Sequence, residues 1–142
     1  MLQESLLNEA LHVATEKKDT VTILDFCFRL GAIYKKDKDN DKIDNLIKII
    51  KQFASYGSNA DIYYNLTRLY DKSNQQDSVA KYALLGVETA IKENIKWQEY
   101  SLTRVYADYL NQSEQSQKAL DVLRNIENKY PIDGEIQEGS EK

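Results

Sequence analysis

The chain has 142 residues, with 42% hydrophobic and 30% charged residues, a net charge of −4 at pH 7, one Cys, one His, one Pro and five Gly. That length suits one domain or a short solenoid, and the scarcity of Pro and Gly favours long helices over a many-stranded β fold. Interspersed charges without a basic block argue against direct nucleic-acid binding, the lone Cys27 excludes an internal disulfide, and no apolar run is long enough to insert in a membrane.

The first predicted helix runs from Leu2 to about Lys17, with Leu7, Ala10, Leu11 and Ala14 at i, i+3, i+4 and i+7. Met1-Leu2-Gln3-Glu4-Ser5 lacks the cationic region and continuous apolar core of a signal peptide, so a cytoplasmic location is the expectation. Lys17-Lys18-Asp19 closes this helix, with cations where the helix dipole favours them. A second helix covers about Thr20 to Lys36 and ends in the polar turn Asp37-Lys38-Asp39-Asn40. The third spans roughly Asp41 to Ser55, with Ile43, Leu46, Ile47, Ile50, Phe53 and Ala54 as its apolar stripe and Gly57 as its cap.

Ser58-x-x-Asp61 reads as a capping box with Asp in place of Glu, opening a fourth helix that stops near Lys72. Ser73-Asn74-Gln75-Gln76 is a turn. The fifth helix, about Asp77 to Glu93, carries Ala80, Ala83, Leu84, Val87 and Ile91 on one face and is broken by Asn94. The sixth runs from about Lys96 to Asn111. Ser113 is the expected N-cap of the seventh, about Glu114 to Lys129, whose face holds Ala119, Val122, Leu123, Ile126 and Tyr130. Pro131 ends it, and residues 132–142 read as a short acidic tail or linker.

Across these elements one pattern recurs. Leu30-Gly31-Ala32-Ile33-Tyr34, Leu66-Thr67-Arg68-Leu69-Tyr70 and Leu102-Thr103-Arg104-Val105-Tyr106 each read Leu-x-x-apolar-Tyr, and successive copies lie 36 residues apart. Phe28, Tyr64 and Tyr100 share one offset and are all aromatic. Leu7, Ala10, Leu11 and Ala14 shift onto Ile43, Leu46, Ile47 and Ile50. A fixed period in this range signals stacked helical hairpins: half a repeat at 1–18, then repeats at about 20–57, 58–94 and 95–131. The leading half repeat implies a longer parent protein or an array end covered by self-association.

Leu30-Gly31-x-x-Tyr34, its two Thr-containing copies and Ala119-x3-Leu123 before Pro131 resemble the tetratricopeptide repeat family. Cys27, Tyr63 and Glu99 stand where that family carries Trp, and the step of 36 exceeds its usual length of about 34. The resemblance implies an all-α, right-handed superhelix of about seven stacked helices. It also implies a concave surface, lined by the first helix of each pair, that binds extended peptides. Carried over residue by residue, that surface holds Asp25, Phe28 and Ala32, then Asp61, Tyr64 and Arg68, then Trp97, Tyr100 and Arg104.

Phe28, Tyr64, Tyr100, Arg68, Arg104 and Asp61 are therefore the candidate peptide-binding set. Rings give stiff contact area, and Arg68 and Arg104 could bridge an acidic or C-terminal peptide. The competing expectation is structural: aromatics packed on the next hairpin, with Arg68 and Arg104 paired to Asp61 and Asp108. Trp97 is expected to pack between hairpins. Phe28 and Ala32 stand where chaperone-tail-binding members begin their Lys/Asn set, which disfavours that ligand.

No Gly-rich phosphate loop, nucleophile elbow or zinc motif occurs, and Cys27 and His12 have no supporting partners at catalytic or metal spacing. Neither an enzyme nor a cofactor is expected. The leading expectation is a non-enzymatic protein- or peptide-binding scaffold. The alternative is the sensory or oligomerisation part of a bacterial transcriptional regulator or sensor kinase, with homo-oligomers formed through uncapped array ends.

Overall fold

The computed structural model describes residues 2–54 and 59–131, and the regular structure among them is entirely helical. Seven helices follow in order: α1 (Leu2–Glu16), α2 (Thr20–Lys36), α3 (Asn40–Gln52), α4 (Asn59–Lys72), α5 (Gln76–Glu93), α6 (Lys96–Gln112) and α7 (Ser116–Lys129). Each packs on its neighbours in the chain, and α4 also touches both α2 and α6. No helix among the described residues is long and apolar enough to cross a membrane. The expected caps at Gly57 and Ser58 and the 132–142 segment lie outside the described residues.

The tight turns share one construction. After α1, α2, α4, α5 and α6, a residue takes the left-handed region: Lys18 (φ 55°), Lys38 (φ 58°), Asn74 (φ 59°), Asn94 (φ 60°) and Glu114 (φ 63°). The next amide then reaches back five residues: Asp19 to Ala14 O at 3.0 Å, Asp39 to Tyr34 O at 2.9 Å, Gln75 to Tyr70 O at 3.0 Å, Ile95 to Ala90 O at 2.8 Å and Gln115 to Leu110 O at 2.9 Å. These six-to-one bonds satisfy carbonyls that a helix end would otherwise leave unpaired. The donating residue is also the next N-cap, and the carboxylates of Asp19 and Asp39 accept from the amides of Thr22 and Lys42.

The third helix, expected to reach about Ser55, ends at Gln52 with Phe53 as its C-cap, and the turn construction moves the start of the seventh. Ser113 does not cap α7; it is the C-cap of α6. Glu114 occupies the left-handed position, Gln115 becomes the N-cap, and α7 starts at Ser116.

Burial follows the 36-residue step. Leu30, Leu66 and Leu102 are 0%, 2% and 0% exposed, and Leu11, Ile47, Ala83 and Ala119 are buried at one shared offset. Side-chain size varies at these shared positions. The buried stripe of α3 is Ile43, Leu46, Ile47 and Ile50, whereas that of α5 is Val79, Ala80, Ala83, Gly86 and Ala90. Small residues let α4 and α6 approach α5 closely. A Cβ on Gly86 would collide with Leu102 and stand 3.4 Å from the Tyr63 Cβ. One core cluster runs through α1 to α5, and a smaller one of Ala107, Leu110 and Ala119 joins α6 to α7.

Tyr34 and Tyr70 join the core, and Tyr63 and Tyr82 pack against it, as the mixed chemistry of the side chain allows. Tyr34 is buried and its hydroxyl accepts from Asn8 at 3.1 Å. Tyr70 and Tyr82 stack at 5.2 Å, with the Lys51 ammonium 5.6 and 5.5 Å from their centroids.

Glu99 fastens the end of α7. Its carboxylate is buried, yet it accepts from Lys129 Nζ at 2.6 Å and from the Tyr130 hydroxyl at 2.6 Å. Loss of solvent, and then the bond to Glu99, push the Tyr130 phenol up to about 12. An ordinary phenol, near 10, releases its proton first in the unfolded chain, so stability from this contact is present below pH 10 and is lost as pH rises through about 12. In an alkaline ultraviolet titration, a tyrosine ionising near pH 12 should disappear in Tyr130→Phe, and the variant's thermal stability should fall less steeply across that window.

Two backbone substitutions test the packing and the turns. Gly86→Ala should destabilise on balance, overpacking of a filled site costing roughly 1–3 kcal/mol against the roughly 0.5–1 kcal/mol that Ala gains over Gly inside a helix. Glu114→Gly should stabilise by about 0.5–1 kcal/mol: left-handed strain of about 1–2 kcal/mol is relieved, less the added entropy of the unfolded chain. Thermal melts followed by circular dichroism should show opposite shifts in Tm.

Candidate functional site

Burial of Leu30 and Leu66 dictates where the candidate side chains point. A residue two positions before a buried Leu lies about 200° around the helix, so Phe28 and Tyr64 project away from the core side. Arg68 and Lys72 follow Tyr64 at i+4 and i+8 and continue the same stripe of α4. Because α2 packs against α4, the two stripes meet. They border a concavity of about 330 Å³ lined by Leu24, Asp25, Phe28, Tyr64, Asn65 and Arg68.

Arg68 organises this concavity. Its Nη1 donates to the Tyr64 hydroxyl at 2.7 Å, and its guanidinium carbon lies 5.7 Å from the Phe28 centroid and 5.6 Å from that of Tyr64. Lys72 Nζ is 5.1 Å from the same Phe28 ring, which is 42% exposed. Among the described residues neither cation has a carboxylate within ion-pair distance. Burial first, then the charges of Arg68 and Lys35, hold Lys72 below the ordinary lysine range. The site thus offers apolar faces beneath two cations with no direct ion pair among the described residues, while the one carboxylate on its rim, Asp25, is engaged by Arg29.

The expected pairing of Arg68 with Asp61 does not form. Asp61 instead accepts from Gln98 Nε2 at 2.8 Å, which ties α4 to α6. Beside that link the Tyr64 and Trp97 rings meet edge to face at 5.1 Å and 77°, so Trp97 packs between hairpins. Gln98 is 1% exposed, and its Oε1 has no hydrogen-bond partner among the described residues. Asp25, on the rim, is held by Arg29 at 3.3 Å.

Tyr100 and Arg104 repeat the motif one step along without joining the concavity. The Arg104 guanidinium lies 5.8 Å from the Tyr100 centroid, and the Tyr100 hydroxyl donates to Glu127 of α7 at 3.3 Å. The structure therefore brings Phe28, Tyr64 and Arg68 together, sets Asp61 behind them as a structural link, and ties Tyr100 to the last helix with Arg104 exposed over its ring. Sequence reasoning passed over Lys72 and Asn65. Lys72 carried a usable signal, its i+4 spacing from Arg68, whereas Asn65 enters only through the local rotation of α4.

Other reactive groups do not converge. Cys27 is fully buried, and desolvation pushes its thiol up to about 12. His12 lies on α1 beside Glu16 at 3.2 Å. Among the described residues no group of three or more His, Cys, Asp or Glu could hold a metal ion.

Comparison of the chain with protein families, with curated proteins and with solved structures finds no match. Its chemistry is therefore argued from its own residues. For Cys27 the outcome is plain: a thiol reagent at pH 8 should leave the folded chain unmodified and label it fully in denaturant, as expected of a thiol without thiolate character.

Proposed function

We propose that the chain is a non-enzymatic, tetratricopeptide-like scaffold that binds an acidic peptide or protein segment along the exposed side of α2 and α4. In this reading the hairpins form a right-handed superhelix whose first helices, α2, α4 and α6, line the concave surface. Support comes from burial that recurs every 36 residues and from the contacts of α4 with both α2 and α6. The observation that carries the functional reading is the stacking of Arg68 and Lys72 over Phe28, with no carboxylate partner for either among the described residues.

The roles follow from the chemistry. Phe28 and Tyr64 supply rigid apolar area that loses little entropy on binding. Arg68, fixed by the Tyr64 hydroxyl, presents its remaining donors to a carboxylate or a backbone carbonyl. A bound carboxylate also relieves the mutual repulsion of Arg68, Lys72 and Lys35. Asp61 acts indirectly by holding Gln98 and, through α6, the Trp97–Tyr64 contact. Tyr100 and Arg104 extend the surface for a longer ligand.

A panel of immobilised peptides of acidic, neutral and basic charge, with and without aromatic neighbours, tests this. The wild-type chain should prefer acidic members, with binding weakened by salt. Arg68→Glu combined with Lys72→Glu should lower affinity roughly 10- to 100-fold, as expected when charge-assisted hydrogen bonds worth about 1.5–3 kcal/mol are lost. Lys118→Glu, an exposed substitution on α7, should not. Equal binding by all three proteins, or no preference for acidic peptides, would overturn the proposal.

A further inference from the structure

The 36-residue step relates the charged positions of α2 and α4 to those of α4 and α6, and the two sets differ in sign. Phe28 corresponds to Tyr64 and Arg68 to Arg104, so each set keeps a ring and a guanidinium. Lys35, however, corresponds to Asp71, and Lys72 to Asp108. The first set therefore gathers three cations, whereas the second joins one cation to two carboxylates.

The cations of the first set converge. Arg68 and Lys72 share the Phe28 ring, at 5.7 and 5.1 Å from its centroid. Lys72 reaches it by crossing from α4 over bare backbone of α2: a Cβ on Gly31 would stand 3.4 Å from the Lys72 Cδ and 3.7 Å from its Cε. Burial, then the charges of Arg68 and Lys35, hold Lys72 below the ordinary lysine range, so Lys35 belongs to the same electrostatic cluster. The neighbouring carboxylates have other partners. Asp25 is paired with Arg29, and Asp71, whose charge reaches Lys72, accepts from Gln76 Nε2 at 3.3 Å. Among the described residues none of Lys35, Arg68 and Lys72 forms an ion pair. Cations in the last turn of a helix complement its dipole, which accounts for a lysine at positions 35 and 72. It does not account for Arg68, one turn earlier, or for an ammonium carried across to the aromatic face of the neighbouring helix.

We propose that this cluster takes the phosphate of a phosphorylated serine or threonine in an extended peptide, with Arg68 and Lys72 as its direct donors and Lys35 adding charge. The inference rests on the peptide-binding reading and names the side chain that is bound. A phosphate brings a charge of about −1.5 to −2 and three acceptor oxygens on one compact group, whereas a carboxylate brings a single charge and two oxygens. Because Arg68 and Lys72 stand over one ring, a single compact dianion reaches both, while two glutamates would have to approach from separate positions along a peptide. Phe28 is exposed, so the short arm of serine or threonine brings the phosphate to the cations without a deep pocket.

Degenerate peptide libraries that differ at one fixed residue (serine, glutamate or phosphoserine) are passed over the immobilised full chain. The phosphoserine library should bind at least about tenfold more tightly than the glutamate library, the step expected of one further charge-assisted hydrogen bond. That advantage should shrink as pH falls below about 6, where phosphate loses its second charge and glutamate keeps its own. Lys35→Gln with Lys72→Gln should remove most of the advantage with circular dichroism unchanged, while Arg68 still retains the glutamate library; Lys118→Glu should remove none. Equal binding of the phosphoserine and glutamate libraries, or an advantage indifferent to pH, would overturn this inference and leave the acidic-peptide reading standing. Retention of neither library would overturn both. Displacement of the phosphoserine library by an equal concentration of inorganic phosphate would overturn the inference as well, since the site would then be one for the free anion.

Discussion

The fold depends on the six-to-one hydrogen bond that closes its tight turns. Each such bond, as from Asp39 to Tyr34 or from Ile95 to Ala90, reverses the chain within two or three residues. Consecutive helices are then antiparallel and close enough to pack, which fixes the direction in which every apolar stripe must face. Leu30 and Leu102 lie on helices closed by such a turn at both ends, and Leu66 on one closed at its C-terminal end, and all three are buried. The exposed stripe of Phe28, Tyr64 and Arg68 is the complement of that burial. The candidate site is therefore a geometric by-product of the turns, later furnished with chemistry by the residues that happen to stand there.

Side-chain volume then sets how the layers approach. Where α3 offers isoleucines, α5 offers alanines and Gly86, and Leu102 and Tyr63 fill the space. The repeat is conserved in position and not in size, so volume lost at one offset is restored by a neighbour. Interiors packed to near-crystalline density require this kind of compensation. It also explains why Thr can replace Gly at the second position of the Leu-x-x-apolar-Tyr motif: Gly31 is pressed by Leu69, at 2.7 Å from an added Cβ, whereas Thr67 is buried with its hydroxyl donating to Tyr63 O.

Much of this was legible in the sequence, because helical periodicity is local. The limits of α2 and the ends of α4 and α5 follow from apolar spacing and from residues that stop helices, and the 36-residue offset placed Phe28 and Tyr64 on corresponding faces. What escaped has physical reasons. The start of α7 was misplaced because Glu114, a residue that ordinarily avoids the left-handed region, occupies it in place of glycine. The Asp61–Gln98 bond replaced the expected ion pair with Arg68 because hydrogen-bond partners across helices depend on relative rotation, which no single-helix pattern encodes. The Glu99 latch joins residues about thirty apart and puts a carboxylate where the motif calls for an apolar side chain, so periodicity pointed away from it.

The division of the core has a consequence for how the molecule yields. Helices α1 to α5 share one continuous apolar cluster, while α6 and α7 close over a smaller one and rely on the latch at Glu99. In a quasi-one-dimensional stack, each unit is only as secure as its own interior and its nearest interface. The last helix can open alone once the Glu99 latch breaks, because α6 stays tied to α4 by the Asp61–Gln98 bond and the edge-to-face contact of Tyr64 with Trp97. Fraying confined to α7 then leaves the side chains that fix Tyr64, and with it Arg68, in place.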